Sequence, residues 1–223
     1  MGKLKHISIN IIFIFMICML SLSCSSTSNI RATNISENDV AYLTLFTYDG
    51  NGEAKWGLPN LGHAFVSIEN VSGDTLNILD KELASGETIA IGTWSIKEHF
   101  GVWYNVESNY ITEHNKYDGR LSITIGVSME DIETISSYIA DKDYWNIFNN
   151  CSKFALNLWN TVATETEEIE KPLIYTPSYL ARQIKKFDNY EVNREINTDD
   201  TLGYFNDATY VSFHIEEGNY ESV

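Results

Sequence analysis

Three prolines and three cysteines in 223 residues are too few for a Pro-rich scaffold or a disulfide-stapled mini-domain. Positive charge is scarce as well. Fifteen Lys+Arg stand against 31 Asp+Glu, a formal charge of −16, and a surface this acidic repels phosphate, so no nucleic-acid partner is expected. Glycine-rich phosphate loops and dinucleotide fingerprints are missing. Beyond the N-terminal segment the histidines His63, His99, His114 and His214 are scattered without ligand spacing. Neither a cofactor nor a metal is therefore expected. What is there is apolar: 43% hydrophobic and 13% aromatic residues, enough to build a packed core.

The N-terminus carries Lys3 and Lys5, then an almost unbroken apolar stretch from Ile7 to Leu22, then Ser21-Leu22-Ser23-Cys24-Ser25. That order is a secretory signal, and the uninterrupted run from Ile11 to Leu20 is shorter than the ~20 residues a bilayer span needs. The stretch resembles a bacterial lipoprotein signal. The resemblance implies cleavage after residue 23 and lipidation of Cys24, hence a membrane partner through an N-terminal lipid and a place in the cell envelope. An ordinary secretory signal with an incidental Cys24 is the alternative. Residues 1–23 thus read as signal, residues 24–39 as a flexible polar tether, and residues 40–223 as a single domain. Removing residues 1–23 leaves 13 Lys+Arg against 31 Asp+Glu, a formal −18. It also leaves Cys151 as the one thiol of the domain.

Within the domain, alternating β-branched and aromatic residues predict strands over 42–48, 63–69, 75–79, 88–94, 102–106, 121–127 and 210–215. Short Gly- and Asp-bearing turns between them point to antiparallel meanders. Ser128 with Asp131 forms a capping-box pattern ahead of Ile132, Ile135 and Ile139. Asn150 precedes an apolar face of Cys151, Phe154, Ala155, Leu158 and Trp159. Thr176-Pro177 opens a third helix. The fold class is α+β, an antiparallel sheet with packed helices.

Cys151 and His63 are the residues suited to chemistry. A thiol in the first turn of a helix meets unpaired N–H groups that favour the thiolate and can receive an oxyanion. His63 follows Gly62 and opens an apolar strand. Each has an ordinary alternative, since a lone cysteine is commonly a small core residue and a lone histidine a structural hydrogen-bonding residue. Considered together, Gly62-His63-Ala64-Phe65 on a strand and Asn150-Cys151-Ser152-Lys153-Phe154-Ala155 opening a helix 88 residues later resemble the circularly permuted papain-like hydrolases. These are relatives of the NlpC-type cell-wall peptidases that include the lecithin retinol acyltransferase group.

The resemblance covers residues 42–160. It implies a permuted papain-like fold with the histidine strand before the cysteine helix, Cys151 as nucleophile and His63 as general base. The orienting third residue varies in that family. Candidates are Glu107 and Asn105, placed on one face of a strand by alternation, and His99; Glu107 is preferred because a carboxylate best fixes the tautomer of the base. The expected function is an exported thiol hydrolase, an amidase or peptidase or an acyltransferase, acting on a peptide, amide or ester through an acyl-enzyme. The alternative is a non-catalytic surface lipoprotein that binds through Trp56, Trp94, Trp103 and Tyr104.

Overall fold

Strands rich in β-branched and aromatic residues, buried on both faces, build an eight-stranded sheet. The computed structural model describes residues 34–50, 54–55, 58–59, 62–199 and 201–213. In chain order the elements are β1 (Ala41–Tyr48), β2 (Ala54–Lys55), β3 (Leu58–Pro59), β4 (His63–Asn70), β5 (Leu76–Ile78), β6 (Lys81–Leu83), β7 (Thr88–Ile96) and β8 (His99–Tyr104). These are followed by α1 (Val106–Thr112), β9 (Leu121–Val127), α2 (Met129–Asp141), α3 (Cys151–Val162), α4 (Pro177–Ile184), β10 (Glu191–Val192), β11 (Leu202–Asn206) and β12 (Thr209–Phe213).

The sheet runs β10-β9-β1-β4-β7-β8-β11-β12, and every pairing between named strands is antiparallel. The α+β class with an antiparallel sheet and packed helices is therefore observed. The segment expected as a strand at 75–79 does not join this sheet. It shortens to β5 and pairs with β6 in a separate hairpin, because Leu79 adopts a left-handed φ of 56° and turns the chain back at once. No signal had pointed to α1 or β11.

The two faces of the sheet carry different helices. Leu43, Leu45, Ala64, Val66, Ile68 and Ile91 on one face pack with Ile135 of α2, Phe154, Leu158 and Trp159 of α3, and Leu180 of α4. Phe46, Phe65 and Ala90 on the other meet Ile111 of α1. The α3 stripe is fully buried, and each large side chain in it contributes roughly 1.5–3 kcal/mol of burial, enough to clamp the start of α3 against β4. Ser128 caps α2 with the reciprocal Asp131 bonds of a capping box. Ahead of β1, the Asn34 N–H donates to Glu167 Oε1 (2.6 Å), and its carbonyl accepts from the Gly126 N–H (2.9 Å). The chain is thus held to the domain from residue 34 onward. Cys24 and the expected signal lie outside the described residues.

Candidate active site

Cys151 is the first residue of α3. The Asn150 side chain accepts from the Lys153 N–H at 3.0 Å, and the first intrahelical bond runs from the Phe154 N–H to the Asn150 carbonyl. The N–H groups of Cys151 and Ser152 therefore precede the first helical acceptor, where the partial positive charge of the helix collects. Asn150 Nδ2 also donates to the Tyr175 carbonyl at 3.2 Å. Replacing Asn150 with alanine is expected to cost about 1–2 kcal/mol, readable as a lower urea midpoint at unchanged slope.

His63 opens β4 on the face of Phe65, with the two rings 6.0 Å apart. Cys151 comes from the opposite face and meets the ring at the strand end. Pairing of β4 with β7 begins only at Val66, which leaves the Ala64 N–H to bond the sulfur. The imidazole lies close enough to the thiol for each to bear on the other's protonation. His63 Nε2 donates to Glu107 Oε1 at 2.8 Å, so Nδ1 is the nitrogen left for the thiol. Cys151 is half-buried, whereas His63 is buried and Glu107 wholly so.

The charges of this line follow from its neighbours. Burial alone would lower the His63 pKa, but the Cys151 sulfur first and the Glu107 carboxylate second push it up to about 10. Burial alone would raise the Cys151 thiol; the His63 ring, the Ala64 N–H and the Ser152 hydroxyl outweigh it and hold the thiol below its ordinary value. Both shifts run in the direction of a thiolate–imidazolium pair.

Glu107 reaches His63 by a route that differs from strand alternation. β8 stops at Tyr104, Asn105 turns at a left-handed φ of 58°, and Glu107 sits in the first turn of α1. Asparagine tolerates that conformation. Here its side chain is fully engaged, accepting from the Ala90 N–H and donating to Asp199 and the Thr201 carbonyl. Asn105 and Glu107 therefore do not share a strand face, and Asn105 ties loops together. His99 is bonded to Asp143 at 2.6 Å and stacked on Tyr204, a separate pair. Cys151, His63 and Glu107 are the sequence candidates that converge.

Three further residues surround the line: Gly92 and Tyr117 carried no sequence signal, and Trp94 stood only among the residues of the binding-module alternative. Trp94 Nε1 donates to Glu107 Oε1 at 2.7 Å, and its ring lies 4.4 Å from the His63 ring. Gly92 makes room for the carboxylate, because a Cβ there would fall 1.9 Å from Glu107 Oε1. The Tyr117 ring lies 5.7 Å from the His63 ring, with 19° between the two planes. Burial and then the nearby Glu107 keep the Tyr117 phenol well above its usual pKa. Two aromatic rings thus lie close to the imidazole, and aromatic faces favour a positive charge beside them.

Comparison with protein-family models, with curated proteins and with solved structures finds no match for this chain. What the site does has to follow from its own side chains.

Proposed function

We propose that this chain is an exported thiol hydrolase or acyltransferase of permuted papain-like fold, held to a membrane by a lipid on Cys24. The observation that carries the reading is the Cys151–His63–Glu107 line at the start of α3. The thiolate attacks an amide or ester carbonyl, forming the S–C bond. The oxyanion rests on the N–H groups at the helix start. Collapse breaks the C–N or C–O bond as His63 gives its proton to the leaving amine or alcohol. Water or another acceptor then attacks the thioester, His63 takes back a proton, and the thiolate returns. Glu107 holds the imidazole in one orientation throughout.

Peptides of the cell envelope are the substrate class suggested by the motif resemblance and the expected export. The binding-module alternative finds less support, since Trp103 and Tyr104 are fully buried and Trp94 is bonded to Glu107; Trp56 lies outside the described residues. The test is direct. Incubation with p-nitrophenyl acetate is expected to leave an acetyl adduct on the peptide carrying Cys151, read by mass spectrometry, and none in Cys151→Ala. Absence of the adduct from the native chain would remove the enzyme reading.

A further inference from the structure

One tyrosine beside the Cys151–His63–Glu107 line is held in a backbone conformation that its side chain disfavours. Between α1 and β9 three residues have left-handed φ angles: Asn115 (53°), Tyr117 (59°) and Gly119 (84°). Asparagine and glycine tolerate that region, whereas a bulky aromatic residue there is an outlier. The turn is fixed from outside. The Tyr117 carbonyl accepts from the Arg120 N–H at 3.1 Å, the Gly119 N–H donates to Asn193 Oδ1 at 2.7 Å, and Asn193 Nδ2 donates to Asp118 Oδ1 at 2.7 Å. A glycine or an asparagine would hold the same turn with less strain, so what position 117 gains is the placement of its side chain.

That side chain is placed next to His63. Its ring centroid lies 5.7 Å from the imidazole, 5.6 Å from Tyr48, 6.2 Å from Tyr110 and 6.3 Å from Phe65. Tyr110 belongs to α1, and Phe65 lies on the sheet face that α1 covers, so Tyr117 comes to His63 from the face opposite α3. The N–H groups that receive the oxyanion are on the α3 side. The leaving amine or alcohol, by contrast, must lie against His63 to take its proton. Tyr117 is half-buried, and among the described residues its hydroxyl has no hydrogen-bond partner. Burial first, then Glu107, Tyr110 and Cys151, push its pKa up, so the phenol keeps its proton and is able to donate. We propose that the Tyr117 hydroxyl is a further catalytic donor, hydrogen-bonded to the departing oxygen or nitrogen of the substrate. In the step itself the tetrahedral intermediate breaks its C–O or C–N bond, the electron pair passes to the leaving atom, and His63 supplies the proton. Tyr117 retains its own proton and stabilises the negative charge that builds on the leaving atom. The role rests on the proposed Cys151–His63 chemistry.

The experiment follows acetylation of Cys151 in the full chain by phenyl acetate and by p-nitrophenyl acetate, read as release of phenol or p-nitrophenol. p-Nitrophenolate departs readily as an anion. Phenolate is a poorer leaving group than a thiolate of lowered pKa, so its departure limits the rate and responds to a donor beside it. In Tyr117→Phe, which keeps the ring, the phenyl-to-p-nitrophenyl rate ratio is expected to fall about tenfold, the size of one hydrogen bond to a developing charge. Alkylation of Cys151 by iodoacetamide reports whether the pair itself is intact, and it is expected to stay close to the native rate. Incorporation of 3-fluorotyrosine at position 117 returns the donor and is expected to return the ratio, which separates loss of the hydroxyl from a folding fault in the phenylalanine variant. A ratio that does not move overturns the role, and so does one that fluorotyrosine fails to restore. Equal slowing of both esters, the mark of a donor to the oxyanion, overturns it as well. Slowed alkylation overturns it too, because Tyr117 would then act by placing His63. In each of these cases the native chain still acetylates and the thiol-enzyme reading stands. A native chain that neither ester acetylates at Cys151 removes that reading and the Tyr117 role together.

Discussion

Alanine at position 63 is expected to slow the alkylation of Cys151 by iodoacetamide at pH 6 on the order of 100-fold. At that pH an ordinary thiol is well under 1% thiolate, and reactivity follows the thiolate fraction. The sign comes from the separate influences on the sulfur. His63 is the largest force lowering the Cys151 pKa, and burial opposes it, so removing the ring leaves burial dominant and moves the thiol upward. In the native chain the alkylation rate should rise with pH along a limb below the ordinary thiol range. Turnover of a substrate needs the imidazolium as proton donor. His63 holds its proton until about pH 10, so turnover should fall only as pH rises through that value. The resulting profile is a broad plateau bounded by the apparent pKa values of the pair. A native alkylation profile that coincides with that of a free thiol, and does not move in His63→Ala, would dismantle the pair.

A single methyl at Gly92 is expected to do as much damage to the fold as His63→Ala does to reactivity. The added carbon would fall 1.9 Å from Glu107 Oε1, an atom that accepts from both His63 and Trp94. Glu107 is wholly buried on the first turn of α1 and cannot retreat into solvent. Either the carboxylate gives up two donors or β7 moves away from α1. The expected cost is about 3 kcal/mol, combining overpacking with the loss of buried hydrogen bonds, and it should appear as a drop in urea midpoint. Alkylation of Cys151 should slow in the same variant, because His63 loses its orienting partner. The clash has a specific signature. Adding Glu107→Ala to Gly92→Ala should recover stability relative to the sum of the single changes by more than about 1 kcal/mol, while reactivity stays low. Additive single effects would show that the two residues do not collide.

The helices α2, α3 and α4 were legible because their signals are local. Ser128 with Asp131, Asn150 ahead of an apolar stripe, and Thr176-Pro177 each act within one turn of the chain, and each caps the helix it predicted. The strands β1, β4, β7 and β9 were legible for the same reason, since a side-chain period of two is set by the backbone itself. Asn105 was not. Its left-handed conformation is supported by Asp199, 94 residues later, and nothing near Asn105 in the sequence announces that partner. Strand alternation accordingly ran past Tyr104 and put Glu107 on a strand face. Gly92 was equally silent, because a glycine inside a strand acquires meaning only when the atom occupying its missing side chain's space is known. Trp94, read as a wall of a binding groove, turned out to donate to Glu107 because β7 passes beneath α1.

The sequence by itself determined the classes of element, the acidic surface, and the presence of one thiol at a helix start. These depend on composition and on interactions a few residues apart. Only the tertiary structure decided which carboxylate meets His63 and how the thiol and imidazole shift each other's protonation. Those outcomes join residues 44 and 88 positions apart. The register of β4 against β1 and β7, and the packing of α1 and α3 on opposite faces of one sheet, bring them together.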